Sequence, residues 1–179
     1  MKNLKKVSLL ASIFLFSVTL LSPAFGQKTP NLSDPEIASV AVVANQNDID
    51  FAKIAKQKSQ DTKVLGLANA MISDHQAIID MAVELVTELK VTPQDNAVSQ
   101  QYLANAKETM KMLNSKSSKE FDKAYVNNEV AYHEAVIAAV KSVLIPQSQN
   151  EELKALLQKA LPILETHLEH AKMVQKQMK

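Results

Sequence analysis

The apolar residues of this chain recur at alternating spacings of three and four, the period of one helix face, and Ser, Asp and Pro punctuate the periodic stretches. Ser33-Asp34-Pro35-Glu36 combines a capping Ser, an early Pro and a Glu three residues after the cap, the reciprocal box that starts a helix, here over 34–59. Asp61 caps a second helix that runs to Leu89, where Val91-Thr92-Pro93 stops it and a short third helix follows over 94–114. Ser117-Ser118-Lys119-Glu120 is another box, opening a fourth helix to Ile145. Pro146 ends that helix, and Ser148 to Glu151 launch a fifth that reaches the C-terminus.

Four of the five helices are long, ~40 Å each at about 1.5 Å per residue. The turns near Asp61 and Pro146 are short enough to make two antiparallel hairpins. The segment between the second and fourth helices, with a helix of its own, is long enough to travel back along the bundle. The predicted fold is therefore all-α, a ferritin-like four-helix bundle over 34–179 with a long crossover carrying a short extra helix.

Each long helix has one core stripe. The first reads Ile37, Ala41, Ala44, Asp48, Phe51, Ala55, and the second reads Val64, Ala68, Met71, His75, Ile78, Ala82, Leu85, Leu89. The fourth reads Val126, Val130, His133, Ile137, Val140, Leu144, and the fifth reads Leu153, Leu157, Ala160, Leu164, His167, Ala171, Val174. Every stripe is apolar except for one residue near its middle: Asp48, His75, His133 and His167. Asp48 lies 13 residues before Asp61 and His75 lies 14 after it, so the first hairpin puts them at one level. With the second hairpin turning between Ile145 and Glu151, His133 and His167 are offset by ~6 Å at helical rise. Glu129, one turn from His133 on the same face, matches His167 better in depth.

Composition narrows the chemistry. The chain has 179 residues with no Cys and only 2 Gly, which excludes disulfide scaffolds, thiolate metal sites and Gly-cradled phosphate loops. All 20 basic residues are Lys against 19 acids, so the Arg fork that reads phosphates and bases is missing, and no nucleic-acid partner is expected. Lys2, Lys5 and Lys6 precede an apolar run from Val7 to Leu21, and Ala24-Phe25-Gly26 offers a small-x-small cleavage pattern. Residues 1–26 thus read as a signal peptide cleaved near Gly26–Gln27, with 27–33 a short extension. The run is shorter than the ~20 residues of a membrane span, so no stable span is expected after cleavage. The mature chain, 17 Lys against 19 acids or −2, is expected to be periplasmic or secreted.

A carboxylate and imidazoles buried in apolar stripes are costly unless paired, hydrogen-bonded or coordinated. Two readings follow. In one, Asp48, His75, His133, His167 and Glu129 bind a single divalent transition metal ion, iron, manganese, zinc or copper. In the other, the same residues form an ion-free hydrogen-bond network that fixes helix register. Asp74, about 100° around the helix from His75, and His170, three residues past His167, stand as outer partners rather than ligands. Pro162 removes one amide from the fifth helix and predicts a kink just before His167.

The segments MISDHQAIID (71–80), FDKAYVNNEVAYHEAVIAAV (121–140) and LKALLQKALPILETHLEHAK (153–172) resemble, in order, three signature blocks of an exported bacterial family of unknown function, family 4142, placed among ferritin-like folds. The resemblance implies that His75, His133 and His167 are recurrent family positions, with Asp74 before the first. It implies no activity. The Glu-x-x-His pair of di-iron bundles is missing, since Ile72, Val130 and Leu164 stand three residues before the histidines. The expected function is a non-catalytic, stress-related envelope protein whose His/carboxylate cluster binds one metal ion. The alternatives are a metal-dependent redox enzyme and a helical envelope protein that docks a protein partner or a second copy of itself.

Overall fold

The computed structural model describes residues 30–178, so the expected signal segment and residues 27–29 of the short extension lie outside the described residues. The helices are α1 (Asp34–Lys58), α2 (Thr62–Glu88), α3 (Ala97–Ser115), α4 (Ser118–Ala139) and α5 (Glu151–Gln177). A π-helical turn, Val140–Leu144, and a last helical turn, Ile145–Gln147, prolong α4. Among the described residues no helix is long and apolar enough to cross a membrane.

Local chemistry sets most of these ends. The Ser33 amide donates to Glu36 Oε2 at 2.8 Å, closing the predicted box of α1. Asp61 Oδ1 accepts from the Lys63 amide at 2.8 Å and opens α2. α2 closes where Lys90 turns left-handed (φ 53°) and the Val91 amide reaches the Val86 carbonyl at 2.9 Å. α3 begins at Ala97 rather than at 94. Asn96 is its cap, and the preceding Gln94 amide is drawn to the Pro35 carbonyl at 3.0 Å.

Pro146 acts differently from its sequence reading, whereas Pro162 lies inside its helix as expected. Pro146 does not end α4 at Ile145: a π turn before it, with the Ile145 amide bonded to the Val140 carbonyl, carries the helix on to Gln147. A π turn relaxes the α-register that the missing Pro amide would interrupt. α5 runs unbroken from Glu151 to Gln177 through Pro162, with Thr166 Oγ1 donating to the Pro162 carbonyl at 2.8 Å.

The crossover travels the whole bundle. Asn96 Nδ2 donates to the Glu36 carbonyl near the start of α1, Asn47 Nδ2 to the Tyr102 carbonyl at its middle, and Lys58 Nζ to the Leu113 and Asn114 carbonyls at its end. α3 therefore runs parallel to α1 on its outer side and delivers the chain to the end where α1 finished. α4 then descends antiparallel to α1, with Tyr132 Oη donating to the Ala44 carbonyl at 2.8 Å, and α5 returns beside α2. The order α1 up, α2 down, α4 down, α5 up is the wiring of a four-helix bundle with one long crossover.

The core has two apolar clusters. One holds Phe51, Ala55, Val64, Met71, Phe121 and Ala171 among others, and the second holds Ile37, Ala44, Ile78, Ile137, Leu157 and Leu164. All four long helices cross from one cluster to the other. Between the clusters lie Asp48, His75, Glu129, His133 and His167, each at most 3% exposed.

Asp34 holds the two hairpins together at the lower end. Its carboxylate accepts from the Gln149 amide at 2.9 Å and the Asn150 amide at 3.0 Å, tying the α4–α5 turn to the first residue of α1. Asp34→Ala is expected to lower the unfolding free energy by about 1–3 kcal/mol, the range for a lost charge-assisted hydrogen bond. Urea unfolding followed by circular dichroism checks this, with native helix content unchanged.

Candidate metal centre

The polar layer is assembled from both hairpins. α1 and α2 contribute Asp48 and His75, while α4 and α5 contribute Glu129, His133 and His167. The three imidazole centroids lie 5.0–5.5 Å apart.

Outer hydrogen bonds fix which nitrogen of each ring is bare. Asn45 Nδ2 donates to the Ala41 carbonyl at 2.7 Å, so its Oδ1 is the atom facing His75 Nδ1, also at 2.7 Å. An amide oxygen can only accept, so His75 Nδ1 carries the hydrogen and Nε2 the lone pair. His133 Nδ1 donates to the Glu129 main-chain carbonyl at 2.9 Å, again leaving Nε2 bare. His167 is reversed: Nε2 donates to Asp74 Oδ2 at 2.9 Å, so Nδ1 is bare. A metal-ligating histidine commits its second nitrogen to an outer acceptor in this manner.

The bare nitrogens turn inward. His167 Nδ1 is 3.2 Å from His75 Nε2, and Asp48 Oδ2 lies 3.1 Å from His75 Nε2 and 3.4 Å from His133 Nε2. These inner contacts are not hydrogen bonds to Asp48: both its oxygens, and His133 Nε2, have no hydrogen-bond partner. The inner nitrogens of His75 and His133 and the Asp48 carboxylate thus face one another across a desolvated gap. A cation shared between them would offset the cost of that burial.

Burial works to raise the Asp48 carboxyl, but the charged forms of His75 and then His133 beside it outweigh burial and hold it well below the usual carboxylate range. Burial lowers His133 and His167, against the opposing pull of Asp48 on the first and Asp74 on the second, which keeps both rings neutral and their lone pairs free. Glu129 goes the other way, raised well above the usual range by burial and then by the negative charge of Asp48.

The donor set fits a divalent transition ion. His75, His133 and His167 present ligand atoms within 4.8 Å of one another, and Asp48, Glu129 and His133 do the same. A cavity of about 10 Å³, room for one water-sized body, is lined by Asn45, Asp48, His75, Tyr132 and His133 together with Ala44, Val136 and Leu164.

Of the residues singled out in the sequence, Asp48, His75, Glu129, His133 and His167 are brought together, and Asp74 stands behind His167. Half-buried His170 belongs to neither ligand group. His133, rather than Glu129, lies beside His167. Because α4 is prolonged to Gln147, His133 stands 14 residues before the turn against 16 after it for His167, an offset of only ~3 Å at helical rise. Asn45 was not singled out, although its place three residues before Asp48 puts it on the same strip of α1. Tyr125, one turn before Glu129, also escaped notice because it reads as core filling.

Fold and site together define an all-α bundle with one long crossover and a buried His/carboxylate centre. The chain belongs to the family described as domain of unknown function (DUF4142), whose sequence profile matches residues 20–174. No curated protein matches it. The fold is shared with a solved structure described as CopM in the Cu(II)-bound form, with a TM-score of 0.62 at 16% identity, covering 82% of this chain and 98% of that one.

The raised Glu129 has a pH signature. Above the ordinary glutamate range the folded metal-free protein holds a proton that the unfolded chain has released, so this group makes stability fall as pH rises until Glu129 ionises. His133 and His167, lowered in the fold, act in the opposite sense up to about pH 6.5. Comparison with Glu129→Gln isolates the glutamate: in the presence of chelator the variant should match the parent near pH 4.5 and exceed it by a margin that widens as pH rises above the ordinary glutamate range, read from urea midpoints.

Proposed function

We propose that this protein is an exported helical bundle that holds one divalent transition metal ion in the cell envelope through His75, His133, His167 and Asp48, in a non-catalytic role. The observation that carries this reading is the meeting of three imidazoles, each pinned from behind by an oxygen, in one buried layer where His75 Nε2 and His133 Nε2 both lie against Asp48 Oδ2.

Nitrogen and oxygen donors without thiolate suit copper(II), zinc, iron and manganese, and copper(II) stands first in affinity for such sets. Copper is also the ion in the CopM structure that shares this fold, a likeness that supports trying copper first. Holding rather than turnover is favoured by the surroundings: apolar clusters close the layer above and below, and the cavity beside it admits about one water. Export rests on the basic, apolar and small-residue pattern of residues 1–26.

Protein purified without a His tag should bind one equivalent of copper(II) per chain, with a rise in melting temperature, by elemental analysis and calorimetry. Asn45→Ala, which releases His75 Nδ1 from its acceptor, should weaken that affinity by about 10–100-fold. The His75→Ala/His133→Ala double variant should abolish stoichiometric binding. A parent protein that takes up no copper, zinc, iron or manganese and shows no thermal shift with any of them would overturn the reading.

A further inference from the structure

One ion at the three imidazoles leaves part of the layer unexplained. Among the described residues, every buried side-chain nitrogen or oxygen without a hydrogen-bond partner belongs to Asp48 or to α4: Asp122, Tyr125, Asn128, Glu129 and His133. Positions 122, 125, 129 and 133 fall at spacings of three and four, so they form one strip of α4 that ends at the imidazole cluster. An ion bound by His75, His133 and His167 uses His133 Nε2 and one oxygen of Asp48. The second Asp48 oxygen, both Glu129 oxygens and the Tyr125 hydroxyl remain without partners.

Asp48 and Glu129 are both 0% exposed, as is Tyr125, and the two carboxyls offer oxygens within 4.8 Å of each other and of His133. A proton on Glu129 engages one oxygen of the pair and leaves the others bare. A divalent ion engages several at once, and an oxygen-dominated set of two carboxylates and a phenol suits a harder ion than three imidazoles do.

We infer that the layer has a second cation site, formed by Asp48 and Glu129 with the Tyr125 hydroxyl beside them, and that it takes a hard divalent ion with Asp48 shared between the two sites. The inference deepens the metal-centre reading and rests on it for the first ion. Paired metal sites that share a carboxylate hold their ions about 3.5–4 Å apart, so two paramagnetic ions bound here would sense each other.

Manganese(II) is the probe, added to tag-free protein carrying one equivalent of copper(II), with uptake measured by equilibrium dialysis and the copper signal by electron paramagnetic resonance. The parent should bind one manganese per chain, with broadening of the copper signal. Glu129→Gln should keep its copper, which also shows that it is folded, and bind manganese at least tenfold more weakly; Tyr125→Phe should weaken manganese binding several-fold. His167→Ala, which loses an imidazole of the first site, should still take manganese. Copper-loaded parent that takes no manganese, or Glu129→Gln that takes both ions like the parent, would overturn the second site while leaving the first intact. Parent protein that refuses copper but binds manganese in a Glu129-dependent manner would sink the first site alone.

Discussion

Asp48 is the constraint to which the rest of the bundle answers. A carboxylate with no exposure, in the middle of a helix, loses its hydration entirely, and no main-chain amide, Lys, Ser or Thr replaces it. What surrounds it instead is imidazole, from both hairpins. The four long helices must therefore meet at one level to within the length of a side chain, because His75 and His133 reach the same oxygen from different hairpins. The apolar clusters on either side give the layer its low dielectric and make any charge within it strongly felt.

Much of the remaining architecture serves that level. The Asp34 carboxylate clamps the α4–α5 turn onto the start of α1, and α3 is stitched to α1 at its start, middle and end. The π turn before Pro146 belongs to the same set of devices. It lets α4 continue to Gln147, which moves the turn of the second hairpin and brings His133 opposite His167. Side chains of Asn45 and Asp74 then do for ring orientation what the clamps do for helix depth.

The stripes were legible because burial along a helix follows spacing alone: every residue of the α5 stripe, Leu153 through Val174, is buried, and each long helix passes from one apolar cluster to the other at its single polar exception. The crossover was legible from length, since a segment carrying its own helix cannot be a tight turn. The depth of the second hairpin was not, because a proline read as a stop is here absorbed by a π turn. Nor was the relative level of the hairpins, which is set by contacts such as Tyr132 with Ala44 that join residues 88 apart. Asn45 is an ordinary polar residue in a helical sequence. Its importance lies in which nitrogen of a distant ring it leaves bare, and that is a property of three-dimensional placement only.

The outer helix α3 packs on α1 and, to a lesser degree, on α4. The bundle is thus double-walled on one side and single-walled on the other, where α2 meets α5. On that thinner side His167, 4% exposed in its side chain, is joined directly to Asp74, 47% exposed. One hydrogen bond separates the driest part of the molecule from bulk water, and the group on the wet end is an anion. The molecule therefore has a front and a back: a face braced by the crossover, and a seam where the buried layer is tied to the surface through one imidazole and one carboxylate.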